Sequence, residues 1–186
     1  NTFRELNVES VSLGKNITAI GEYCFYNCSS LASVTFGKNL STIGDCAFYG
    51  CSRLTSVTFP ASLKEIGYRC FYNCSALAEI NFTEGLETIG DQSFANCTSL
   101  TSVTFPASVK TIKYKAFAGC KALVTVTIGD DSNPAEKTVI GDAAFQDCEA
   151  LTTAIIGNSI SKLDGGVFRN CGKLATVTFG ANIELI

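Results

Sequence analysis

Cysteine is the residue type in this chain best placed to do chemistry, and there are ten. Cys24 with Cys28, and Cys70 with Cys74, stand at the C-x-x-x-C spacing of a metal pair, and an even count suits a disulfide framework in a secreted protein. A third use competes with both. Cys28, Cys51, Cys74, Cys97, Cys120, Cys148 and Cys171 recur at steps of 23 residues, with one step of 28, each three residues after a Phe and three before a Leu. Side chains repeated in this way point in parallel from coil to coil about 4.8 Å apart, a poor match to the roughly 3.8 Å between the β carbons of a disulfide. The expectation is a ladder of free, buried thiols, each packing as a small hydrophobe with a weak S–H donor for a nearby carbonyl. Cys24 and Cys70 precede the Phe, in a slot filled elsewhere by Ala47, Ser93, Ala116, Ala144 and Val167, and read as small filling. Cys46 shares its column with Tyr23, Arg69, Gln92, Lys115, Ala143 and Gly166, which looks solvent-facing, so it is the expected exposed thiol.

The chain has no His, Met or Trp. Without His it lacks the usual general base, the Ser-His and Cys-His nucleophile pairs and the commonest metal ligand, so neither an enzyme nor a bound metal or cofactor is expected. A net charge of −3, with 17% charged residues and no basic cluster, gives no footprint for nucleic acid. No run of about 18 apolar residues spans a bilayer, and "NTFRELNVES" has neither the basic nor the apolar region of a signal peptide. Lacking an initiator Met, the chain reads as a mature or excised fragment.

The elements that must position the thiols come from one repeated unit. L-x-x-V-x-F or a close variant starts at Val8, Leu31, Leu54, Leu77, Leu100, Leu123, Leu151 and Leu174, and I-G-x-x-x-F-x-x-C follows it seven times. Alternation in "LTSVTF" and "LATVTF" predicts one short strand per unit, ended by Gly or Pro. Some 23 residues per turn cannot enclose a core, so each coil must stack on its neighbours, strand beside strand in parallel. Asn or Gly before each ladder Cys suits a left-handed turn, and the sequons "NCS" and "NCT" there read as by-products of the repeat. The five extra residues fall within 129–139, where Asp130 and Asp131 carry the carboxylates a calcium ion needs but read as part of a solvated loop. The last unit breaks off at "FGANIELI" with no polar cap, so either the chain continues or an end-to-end contact covers the gap.

Two surfaces are candidate contact sites. Outward-facing strand positions form hydroxyl-rich columns that include Ser33, Ser56, Glu79, Ser102 and Thr125, and Thr35, Thr58, Asn81, Thr104 and Thr127. The competing reading is that these are strand formers whose stacked hydroxyls bond one another. Tyr26, Tyr49 and Tyr72 stand 23 residues apart and form a stripe on the arc opposite, either a contact surface or a shield for the coil edge.

The unit in "LTSVTFPASLKEIGYRCFYNC" (54–74) and "LTSVTFPASVKTIKYKAFAGC" (100–120) resembles the BspA-type leucine-rich repeat over essentially the whole chain. Lys113 and Asp164 depart from it where Gly is usual, as does Ala154 in a strand core position. The resemblance implies a leucine-rich-repeat solenoid: a right-handed superhelix with one parallel sheet of about eight short strands on the concave face and short turns, 3-10 or helical segments opposite. It implies a single domain over 1–186 from a longer protein. It also implies a non-enzymatic adhesion module, at a cell surface or secreted, whose partners are host or microbial surface proteins and glycans. A structural spacer that self-associates end to end is the alternative. A remoter one is an ice-binding Ser/Thr array, which the Ser content of one column and the usual curvature of such a sheet oppose.

Overall fold

The computed structural model describes residues 2–129 and 138–181. The loop carrying Asp130 and Asp131, and residues 182–186, lie outside the described residues. Fifteen strands alternate along the described chain between two ladders. The odd-numbered ones are the expected strands: β1 (Ser10–Ser12), β3 (Ser33–Thr35), β5 (Ser56–Thr58), β7 (Glu79–Asn81), β9 (Ser102–Thr104), β11 (Thr125–Ile128), β13 (Thr153–Ile156) and β15 (Thr176–Phe179). The even-numbered ones come from the T-I-G segment: β2 (Ala19–Ile20), β4 (Thr42–Ile43), β6 (Glu65–Ile66), β8 (Thr88–Ile89), β10 (Thr111–Ile112), β12 (Thr138–Ile140) and β14 (Ile160–Leu163). All pairing is parallel and joins equivalent residues of successive coils, as in Ser10 with Ser33, Ser56 with Glu79, and Ile43 with Ile66, apart from one register shift between Thr138 and Val139 where β12 meets β14. The molecule is therefore a parallel β-solenoid. Its second ladder is an addition to the single sheet expected, and the arc between ladders is built of turns, with no helix among the described residues.

The even-numbered ladder is continuous through seven strands. The odd-numbered one divides into β1–β3, β5–β7 and β9–β11–β13–β15. The concave face therefore opens at two seams, between β3 and β5 and between β7 and β9.

The core follows from the repeat. Each coil turns inward its strand Leu, the middle strand residue, the Ile of the second ladder, the ladder Cys and a Phe, and nearly all are fully buried in the central coils. Phe3, Phe25, Phe48, Phe71, Phe94, Phe117, Phe145 and Phe168 stack in one file, with centroids 5.0–5.8 Å apart and planes within 19° of parallel. A second file, Phe36, Phe59, Phe82 and Phe105, meets the first edge-on. The strand spacing of about 4.8 Å matches the offset stacking distance of aromatic rings, so one repeat length satisfies backbone and side chains together. Close coil approach also explains the Gly after the Ile: a Cβ at Gly67 would lie 2.7 Å from the backbone of Gly44 in the preceding coil.

The turn between ladders carries two left-handed residues per coil. One column holds Asn27, Gly50, Asn73, Asn96, Gly119, Asp147 and Asn170, as their residue types predict. The other holds Tyr23, Cys46, Arg69, Gln92, Lys115 and Ala143 at φ of 47–55°, with Gly166 after them. Ordinary side chains are held there at a cost of about 1 kcal/mol each because every second N–H of the turn is satisfied by the next coil. In one such turn Cys46, Phe48 and Gly50 donate to the carbonyls of Tyr68, Cys70 and Tyr72, all at 2.8 Å.

Candidate functional site

All ten cysteines are free. The seven ladder thiols each lie toward the carbonyl of the Phe in the coil before: Cys28 to Phe3, Cys51 to Phe25, Cys74 to Phe48, Cys97 to Phe71, Cys120 to Phe94, Cys148 to Phe117 and Cys171 to Phe145, at 2.9–3.4 Å. Burial pushes the Cys51 and Cys120 thiols up to about 12, and drives Cys70, Cys74 and Cys97 well above the ordinary thiol range. The neighbouring Cys171 thiol and burial raise Cys148. A thiol so held is neither nucleophile nor ligand. Among the described residues no group of three or more Cys, Asp or Glu side chains is placed to hold a metal ion.

Cys46 corrects the expectation of an exposed thiol. It is only 5% exposed, because it is the short member of a column whose neighbours, Tyr23 before it and Arg69 after it, are long enough to close over it. Burial raises its pKa, and the Tyr23 side chain beside it acts in the opposite direction. Cys24, read as filling, is half-buried and is the most accessible of the ten.

The tyrosine stripe exists as an internal stack. Tyr26, Tyr49 and Tyr72 lie face to face with centroids 4.8 and 5.0 Å apart, and all three are half-buried. Arg4 lies over the Tyr26 ring at 4.8 Å, and the Arg69 guanidinium approaches Tyr72 at 5.2 Å and Tyr68 at 5.0 Å. The ring faces are thus engaged within the fold, which leaves edges and hydroxyls for any partner.

On the concave face, the side chains of Ser33, Thr35, Ser56, Thr58, Glu79, Asn81, Ser102 and Thr104 point outward and are exposed, while Thr125 and Thr127 are half-buried. Among the described residues, the one cross-coil hydrogen bond between side chains in these columns runs from Asn81 Nδ2 to Thr58 Oγ1, at 3.3 Å. The hydroxyls therefore do not consume one another. The same Asn81 nitrogen donates to Glu79 Oε1 at 2.8 Å. At the seam between β7 and β9 the face sinks into a depression of about 890 Å³, lined by Glu79, Asn81, Ser102, Thr104 and Thr127 together with Glu84. Sequence reading singled out the first five and missed Glu84. Sequence alone gave no clear signal for it: two residues after the apolar residue that closes each strand, the column reads Lys15, Lys38, Ala61, Glu84, Ala107, Asp130, Asn158 and Ala181, a mixture of types with two acids.

No helix among the described residues is long and apolar enough to cross a membrane. Among curated proteins, none matches the sequence. Solved structures do. A leucine-rich repeat protein from Bacteroides ovatus is 29% identical, with a TM-score of 0.63 over 93% of this chain and 55% of its own, so the present chain spans about half of that protein. The leucine-rich repeat protein of T. pallidum is 28% identical, with a TM-score of 0.67 over 92% of this chain and 78% of its own. The pneumococcal vaccine antigen PcpA, at 21% identity, shares the fold with a TM-score of 0.65 over 95% of this chain and 52% of its own. The family described as "BspA type leucine rich repeat region" matches residues 1–124 and 77–186 in six copies. With the stacked coils, the parallel ladders and the repeat all in agreement, the chain belongs to the BspA-type leucine-rich repeat family.

Proposed function

We propose that this chain is a non-enzymatic protein-binding module, a single leucine-rich-repeat domain of a larger cell-surface or secreted protein, and that the concave hydroxyl face is its contact surface. Leucine-rich repeat proteins bind other proteins in general, and the observation that carries the choice of face is the open row of small, mostly hydroxyl-bearing side chains, interrupted by Glu79 and Asn81, on a backbone of stacked coils. Such a face loses little side-chain entropy on contact and offers donors and acceptors every 4.8 Å or so. Adhesion to host or microbial proteins, with glycans as a second ligand class, is the role that suits an extended rigid surface. Buried thiols in parallel array do not oppose an oxidising location, because they can neither reach one another in disulfide geometry nor meet an external oxidant.

The test is capture from plasma, matrix and cell-surface extracts by the immobilised chain, compared with a Thr58→Arg/Thr104→Arg variant of unchanged circular dichroism and melting. Loss of the captured proteins in the variant is expected; equal capture moves the site to the tyrosine edge or elsewhere. A self-associating spacer, in which such stacks join end to end, is the second reading. Concentration-dependent sedimentation without capture would establish it instead.

A further inference from the structure

The exposed columns of the concave ladder carry one charge among their described residues, Glu79, and it stands at the seam where the ladder opens. Among the described residues no Lys or Arg lines the depression there. Its second carboxylate, Glu84, is turned to the fold: Oε1 accepts the Ala107 N–H at 3.2 Å and Oε2 the Ser108 N–H at 3.3 Å. Glu79 is turned outward. One of its oxygens accepts from Asn81 Nδ2, and the same amide nitrogen donates to Thr58 Oγ1, so the Asn81 amide hydrogens are taken by its two neighbours on the face. That leaves Glu79 Oε2 and the Asn81 carbonyl oxygen without a partner among the described residues. Two acceptors from alternate residues of one strand, one anionic, share the depression with the exposed hydroxyls of Ser102 and Thr104 and together offer a receiver for a planar cation with several forked donors.

We infer that this depression takes an arginine side chain presented by the protein ligand. The inference rests on the reading of the concave sheet as the contact face and specifies what that face selects. Arginine fits better than lysine, because a guanidinium can engage the carboxylate and the amide oxygen at once, whereas an ammonium acts as a point charge. The neutral columns on either side then serve shape and hydrogen bonding, and the single carboxylate sets the register of the bound segment.

The experiment is a nuclear magnetic resonance titration of the chain with N-acetyl-arginine amide and with N-acetyl-citrulline amide, which has nearly the same shape and no charge. Shifts confined to the amides of residues 79–81 and 102–104 are expected with the arginine compound. Affinity should drop about tenfold with citrulline, about tenfold in Glu79→Gln, and further as salt rises, as one charge-assisted forked contact demands. Equal response to both compounds, an unchanged response in Glu79→Gln, or shifts centred on the small cleft of Asp45 and Glu65 would overturn it. The two failures are separable. If protein capture is lost in Thr58→Arg/Thr104→Arg but survives in Glu79→Gln, the contact face stands and the arginine receiver falls; if capture survives both, the face itself is wrong.

Discussion

A sulfhydryl whose proton is directed at a carbonyl, inside a core, has neither the thiolate nor the access that alkylation and exchange require. At the scale of single residues this divides the ten cysteines sharply. Treatment of the folded protein with a disulfide reagent is expected to label Cys24 first, with a fast phase that disappears in Cys24→Ala and persists in Cys46→Ala. A fast phase that depends on Cys46 would contradict its burial. The ladder itself was legible from residue order, because identical spacing to a Phe and a Leu leaves one place for seven sulfurs. Cys46 was not. Its exposure depends on the lengths of Tyr23 and Arg69, which are neighbours only once the coils are stacked, and a column of polar types conceals a short member lying beneath them.

Elements in this molecule are short, and their limits are set by backbone conformation more than by propensity. Gly85, between Glu84 and Leu86, has a φ of +113°, and a Cβ there would stand against the Ala61 carbonyl oxygen. Gly85→Ala is expected to lower the unfolding free energy by at least about 2 kcal/mol, combining a conformation foreign to L side chains with a backbone overlap. Gly21→Ala, with nothing within 4 Å of the added atom, should change it by less than about 0.5 kcal/mol. Chemical denaturation of the two variants decides the matter, and equal losses would refute the account. The odd-numbered strands were legible because three to four alternating residues suffice to show a period of two. The even-numbered ladder was not, since a pair such as Thr42–Ile43 is too short to alternate and gains its pairing only from the coil on either side. The asparagine turn was likewise legible by residue type. Its partner column, with Tyr, Arg, Gln and Lys at positive φ, carries no such mark, because inter-coil hydrogen bonds impose that conformation on whatever side chain stands there.

For the whole molecule, the sulfur file couples stability to pH. The thiols of Cys51, Cys70, Cys74, Cys97 and Cys120 hold their protons in the folded state to pH values where an unfolded thiol, with a pKa near 8.5, has lost its own. Above that pH the unfolded chain binds fewer protons than the folded one, so stability must fall as pH rises. Each such group contributes up to about 1.4 kcal/mol per pH unit, a contribution absent below about pH 8. Urea midpoints should be nearly flat between pH 7 and 8 and decline steeply from 9 toward 11, less steeply in Cys51→Ala/Cys120→Ala. A decline of the same slope in that variant would show that other groups cause it. The stacked architecture was legible at this scale from the 23-residue period alone. The seam between β7 and β9 was not, because every unit repeats the same strand pattern and nothing in "LAEINF" or "LTSVTF" announces that the ladder parts between them.

Among the described residues the hydrogen bonds, ring stacks and sulfur contacts all join one coil to the next, and the contact that skips a coil is an exposed ion pair, Lys113 with Glu65 at 4.0 Å. Under tension along the chain it should yield like an unwinding spring, one coil after another from a free end. Each release would lengthen it by the contour of 23 residues, on the order of 75 Å.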